Sequence, residues 1–149
     1  MEDRTAKCLE LIKTKLEVCP GFQLSQNGVC HLYKACETAG GYIRMSFRHP
    51  ATGKVTSATV GRAVVMTELE TVNLDKDYEA SHLCHNKTCI LKSHICFEPH
   101  SENMRRKVCV NEGACLGHGV FPDCLLYLLV VFLLFFFLLT TYVLQGVSC

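Results

Sequence analysis

The chain has no acidic residue between Thr38 and Thr67, yet Arg44, Arg48, Lys54 and Arg62 all fall inside that window. The gap excludes a cation-collecting surface there and leaves a local basic patch. The net charge of +1 over the whole chain argues neither for nor against nucleic acid. The first nineteen residues, MEDRTAKCLELIKTKLEVC, contain no apolar stretch of the kind a secretory signal needs, so reduced thiols are expected. Core-forming residues are scarce too. Hydrophobic residues make up 49%, but much of that sits near the C-terminus. Setting the apolar tail aside leaves about 120 residues, enough for one small domain whose thin core needs staples.

What is abundant is cysteine and histidine. Residues 81–124 hold six of the eleven cysteines and five of the seven histidines. The odd cysteine count and the interleaving of thiols with imidazoles favour zinc, because a disulfide framework has no use for imidazole. Four residues separate Cys84 from Cys89, and His94 follows after four more. One upstream cysteine would complete a tetrahedron of three thiolates and one imidazole; Cys30 is the first choice and Cys36 the fallback. Cys109, Cys115, His118 and Cys124 form a second set of the same composition. Two structural zinc ions are expected, each coupling on the order of 10 kcal/mol of binding to folding. Cys8, Cys19, Cys96 and Cys149 receive no metal role.

Local pattern predicts an α+β fold that is small and irregular. Residues 5–18 read as a helix, with Cys8, Leu9, Ile12 and Leu16 on one face and Pro20-Gly21 as its stop. A loop is expected to residue 28, and the domain proper over 29–124. Residues 41–48 and 55–60, joined by His49-Pro50-Ala51-Thr52-Gly53-Lys54, read as a basic β-hairpin whose width suits the DNA major groove, although on this feature alone a solvated sheet face is the preferred reading. Residues 62–72 read as a second helix and Asp75, Asp77 and Glu79 as a solvated acidic loop, with capping or help in binding a cation as the lesser option. Glu98-Pro99 begins a third helix through Arg106, with the proline in its first turn. Arg105, Arg106 and Lys107 read as a solvated charge run, and the sequon Asn86-Lys87-Thr88 as accidental.

The segment SHLCHNKTC, followed by His94-Ile95-Cys96-Phe97-Glu98, then Asn103 and Cys109, resembles the His-Cys box homing endonucleases, members of the His-Me finger (ββα-metal) nuclease superfamily. The likeness is strong over residues 81–109 and loose over 30–124. It implies a zinc-stabilised His-Me finger domain acting as a Mg2+-dependent DNA endonuclease. His82 would be the general base, and a neutral imidazole of ordinary pKa about 6.5 suits that task. Asn103 would hold one catalytic Mg2+ through its side-chain oxygen, and Arg44 would contact the scissile phosphate. The strand, loop, strand and helix would bring His82 and Asn103 face to face. The products implied are a 5′-phosphate and a 3′-hydroxyl, and the partner is double-stranded DNA; family members dimerise through a C-terminal tail that this sequence replaces, which leaves a homodimer and a monomeric nickase both open. Beyond Cys109 the likeness weakens: the ligand order survives, but the gaps of five, two and five residues depart from the family's spacing.

Residues 125–144, LLYLLVVFLLFFFLLTTYVL, carry no charge, and 145–149 form a short tail. As a helix the run would span about 30 Å, a bilayer core. It is expected either as a membrane anchor, with Arg105, Arg106 and Lys107 on the cytoplasmic side, or as a gene-model artefact read from a pyrimidine-rich stretch. The chain is accordingly placed in the nucleus or cytoplasm, at a membrane if the segment is genuine. The competing function is a non-catalytic zinc module that binds DNA or a protein partner. His82 and Asn103 discriminate, since a mere zinc module needs neither.

Overall fold

A computed structural model describes residues 2–18, 20–25, 28–33, 35 and 37–127. Helix α1 (Glu2–Val18) leads into a hairpin of β1 (Pro20–Ser25) and β2 (Gly28–Tyr33). A second antiparallel hairpin, β3 (Arg44–Arg48) with β4 (Val55–Thr59), runs directly into α2 (Val60–Glu68). The third antiparallel pair is β5 (Tyr78–His82) and β6 (Ile95–Pro99), separated in sequence by the cysteine loop and a 3-10 turn, Lys92–His94. Helix α3 (His100–Glu112) and a 3-10 turn, Leu125–Tyr127, complete the described elements. The architecture is α+β, with two-stranded ribbons instead of one continuous sheet.

The apolar core lies between α1, the second hairpin and α2. Cys8, Ile12 and Leu16, spaced at four residues, bury one stripe of α1 against Met45, Ala58, Ala63, Val64 and Met66. Strand alternation puts Met45 and Ala58 inward and leaves Arg44, Ser46 and Arg48 outward. The core is narrow for a domain of this size, which leaves the rest of the fold to be held by polar and cysteine-rich contacts.

Several local expectations shift. Residues 20–25 form a strand, since β2 offers a complete antiparallel partner from Pro20↔Tyr33 to Ser25↔Gly28. Helix α2 starts earlier than expected, because Thr59 is extended and its hydroxyl caps Arg62 N at 3.4 Å. It stops at Glu68, leaving Val72 buried in the following loop. Pro99 is the extended residue before α3, not part of its first turn, and α3 continues past Arg106 to Glu112, where Gly113 ends it at φ 67°. Among the described residues no helix is long and apolar enough to cross a membrane. The expected apolar helix lies, beyond Tyr127, outside the described residues, as do Cys19, Cys36 and Cys149.

Candidate functional site

The β5–β6 ribbon is covered on both faces. Ala80 and His82 turn toward α2, where Gly61 approaches them closely, and Phe97 lies under the Arg62 guanidinium at 5.7 Å. Glu79 and Glu98, cross-strand partners, turn toward α3. Two carboxylates directly opposite one another repel unless each is held by a donor. Helix α3 supplies both donors one turn apart: Asn103 Nδ2 donates to Glu79 Oε2, and Arg106 grips Glu98 with two bonds of 2.6 Å.

Arg106 is 1% exposed and Glu98 is fully buried. The expected solvated charge run is therefore corrected at its centre, where Arg106 is an internal strut that also reaches Cys124 Sγ at 3.6 Å. Burial alone would lower the Arg106 pKa, but the bonds to Glu98 and Cys124 hold it above its ordinary value.

The first cysteine cluster draws on three parts of the fold. Cys30 comes from β2, Cys84 and Cys89 from the loop after β5, and His94 from the 3-10 turn. Their ligand atoms all lie within 4.8 Å of one another. His94 Nδ1 is 3.7 Å from Cys30 Sγ and 3.6 Å from Cys89 Sγ. Backbone bonds fix the loop: Leu83 N to His94 O at 2.8 Å, Ile90 N to His31 O at 2.8 Å, and Tyr33 N to Thr88 O at 3.0 Å. A hydrogen bond from Cys84 pulls the Cys89 thiol well down, and the same bond holds Cys84 up. The Asn86 side chain is spent inside the loop, accepting from Thr88 N and Oγ1. Leu125 closes the cluster, its N–H bonded to Leu83 O at 2.9 Å and its side chain against the cysteines.

The second cluster gathers Cys109 from α3 with Cys115, His118 and Cys124 from the loop beyond it, again with ligand atoms within 4.8 Å. His118 Nε2 faces Cys109 Sγ at 3.4 Å and Cys124 Sγ at 3.3 Å. Its other nitrogen, Nδ1, has no well-formed hydrogen bond but lies 3.5 Å from Glu102 Oε2, so the carboxylate orients the ring electrostatically. Leu116 N and Cys124 N point at the Cys109 and Cys115 sulfurs at 3.4 and 3.2 Å, which suits thiolates. Three thiolates and one imidazole converging in a buried site form a donor set for zinc. The described cysteines form no disulfide.

His82 ends β5 and is 9% exposed. Its Nε2 lies 3.1 Å from Cys89 O. A carbonyl only accepts, so Nε2 carries the proton and the lone pair of the neutral ring falls on Nδ1. Burial pushes the His82 pKa down to about 4, against the opposing pull of the Cys89 carbonyl. The ordinary value expected from sequence is thus replaced by a ring held neutral.

Asn103 is half-buried on α3. Because an ionised carboxylate accepts only, the bond to Glu79 assigns the amide nitrogen and leaves Oδ1 as the outward atom. An amide oxygen beside a carboxylate is hard-donor chemistry that fits Mg2+ rather than zinc. Glu79 also contacts His100 Nδ1 at 2.9 Å. Burial alone would raise the Glu79 pKa, but these two partners hold it below the usual carboxylate value. His82 and Asn103 share no hydrogen bond; α3 meets β5 at Glu79, three residues or about 10 Å of extended chain from His82. A substrate group would have to span them.

On the hairpin, Arg44 is exposed and held by Ser57, with Nε and Nη2 at 3.1 and 2.9 Å from Oγ. Arg48 bonds Gly53 O at 2.6 Å. Arg62 leaves the expected basic patch: it bonds Tyr78 O at 2.8 Å and Asp75 O at 3.2 Å beneath the site. Sequence reasoning placed Glu79 in a solvated loop, with cation binding as the lesser option, whereas it lies in β5; Glu98 and Glu102 received no site role. The only available signal was strand alternation, which sets residues 79 and 81 on the face opposite His82.

A family model described as the zinc-binding loop region of homing endonuclease matches residues 23–123, which include His82, Asn103, Arg44 and every residue of the two clusters except Cys124, one position beyond the match. No curated protein and no solved structure matches the chain.

Proposed function

Because the chain belongs to the homing-endonuclease zinc-loop family, and so carries a nuclease-type, zinc-binding domain, we propose that it is a Mg2+-dependent DNA endonuclease. The observation that carries the proposal is the His82 ring, held by Nε2 on a carbonyl of its own cysteine loop with the Nδ1 lone pair left for chemistry. A neutral ring so held can accept a proton, and the family match covers it.

In this reading Nδ1 takes a proton from water as the water oxygen bonds to phosphorus and the bond from phosphorus to O3′ breaks. O3′ collects a proton from solvent, giving a 3′-hydroxyl and a 5′-phosphate. Cys89 O keeps the ring in the correct tautomer as it becomes imidazolium. Asn103 Oδ1 would hold Mg2+, which when bound neutralises charge at the phosphate and the departing oxygen. Arg44, braced by Ser57 on the outward face of the hairpin, offers its guanidinium to the phosphate. Arg48 and Lys54 extend the same basic ribbon along the DNA backbone. The zinc clusters fix His82 and α3 and take no part in proton transfer. Double-stranded DNA as the partner, met by a homodimer or nicked by a monomer, and a nuclear or cytoplasmic location, at a membrane if residues 125–144 anchor the chain, belong to the same proposal.

Nicking of supercoiled plasmid by the zinc-loaded chain with Mg2+ tests it, against His82→Ala. The expected result is Mg2+-dependent nicking that falls by about 10²–10⁴-fold in the variant. Equal nicking by both proteins, or none by a wild type carrying two zinc ions, would favour the non-catalytic zinc module.

A further inference from the structure

Fold stability does not account for Glu79. It stands directly across from Glu98 on paired strands, an arrangement that is repulsive until both carboxylates find donors. Glu98 has a buried arginine. Glu79 instead has the exposed His100 and the Asn103 amide, which are weaker partners for a like-charge neighbour. Its side chain is also partly open, at 38% exposure, so it is not needed to seal the core.

What Glu79 does accomplish is specific. An asparagine amide has two nearly isosteric ends, and only the oxygen can face a cation. A carboxylate at Nδ2 makes one orientation far better than the other. His100, bonded to the second oxygen, keeps the carboxylate from rotating away. We infer that Glu79 is a positioning residue that locks the Asn103 amide with Oδ1 outward, so that the divalent cation meets a donor already turned toward it. The inference rests on the assignment of Asn103 as the cation ligand, and deepens it.

Partners that orient a metal ligand typically contribute about 10- to 100-fold in metal affinity. The test uses the zinc-loaded full chain in a mild detergent, with Mn2+ alone as the probe and free Mn2+ read by electron paramagnetic resonance. Zinc content of two ions per chain checks that each variant is folded. Glu79→Ala is expected to raise the Mn2+ Kd about 10-fold, and to raise by a similar factor the Mg2+ concentration that gives half-maximal nicking. The decisive arm repeats the substitution in an Asn103→Asp background. A carboxylate ligand has no wrong end, so there Glu79→Ala should not weaken Mn2+ binding.

An unchanged Kd in the wild-type background overturns the inference, and so does a weakening of equal size in both backgrounds, which would mark a direct ligand or a merely structural residue. If the zinc-loaded wild type binds no Mn2+ at all, the Asn103 assignment fails, and the role of Glu79 with it. Should Glu79→Ala lose zinc, Glu79→Gln keeps the side-chain size and replaces it in the same cycle. Its amide can present either end to Asn103, so a smaller rise in Kd is expected, again confined to the Asn103-containing protein.

Discussion

Gly61→Ala probes how tightly His82 is held without touching the histidine. Gly61 is buried near the start of α2 and its φ is not positive, so alanine fits the backbone and by helix propensity alone should stabilise by about 1 kcal/mol. The new Cβ, however, would sit 3.0 Å from His82 Cε1, 3.3 Å from Nε2 and 3.5 Å from Ala80 Cβ. Carbon contacts relax to about 3.5–4.0 Å, so the ring must move by a few tenths of an ångström at least. It has little room, being buried and tied to Cys89 O. Overpacking of this kind costs about 1–3 kcal/mol, leaving a net loss of about 0–2 kcal/mol after the propensity gain. Catalysis should suffer more, since a displacement near 1 Å can cost about 10²-fold and a smaller one about 10-fold. Plasmid nicking should therefore fall about 10-fold while the variant keeps two zinc ions and melts within about 10 °C of wild type. A Gly61→Ala protein that nicks at the wild-type rate, when His82→Ala does not, would refute the reasoning that this contact sets the position of the base.

Four further outcomes follow from the same contacts. Arg106→Ala should lose about 3–5 kcal/mol in denaturant unfolding of the zinc-loaded chain, because it strands a buried carboxylate; Glu98→Leu combined with Arg106→Met should recover most of that. Treatment with a strong chelator should abolish the cooperative unfolding transition in circular dichroism, since each site couples on the order of 10 kcal/mol to folding. Metal analysis should find one zinc fewer in Cys30→Ser and in Cys109→Ser, each from its own cluster. Arg44→Ala, on the exposed hairpin face, should leave stability within about 0.5 kcal/mol of wild type. It should still weaken DNA binding at every sequence tested and reduce the salt slope by about 1, as a filter-binding titration over salt concentration would show.

The cysteine clusters were legible because metal chemistry demands particular side chains, and their spacing survives in the linear order even when the ligands come from distant elements. Cys30 could be chosen without knowing that β2 pairs with the cysteine loop through Leu32↔Cys89. Helix α1 was legible for a similar reason, since Cys8, Ile12 and Leu16 repeat at the helical period. Strand β1 was not: Pro20-Gly21 looks like a stop, and only Phe22 and Leu24 alternate, so the strand shows itself only through its pairing with β2 across the hairpin turn.

The carboxylates around the candidate site were hidden for a deeper reason. Glu98 and Arg106 are eight residues apart across a strand-to-helix junction, and Glu79 meets Asn103 from twenty-four residues away. Each pair joins a strand to a helix, so no period within a single element foretells it. A surface acidic loop and a solvated charge run would be written with the same letters. What separates the two cases is whether the ribbon turns those carboxylates toward α3, and that depends on register: Glu79↔Glu98 sets both on one face, and a slip of one residue would send them to the face that α2 covers. The residues that would perform the chemistry can be named from the sequence. Those that orient them are decided by register, which is why Glu79 is tested against Asn103 and not by its own loss alone.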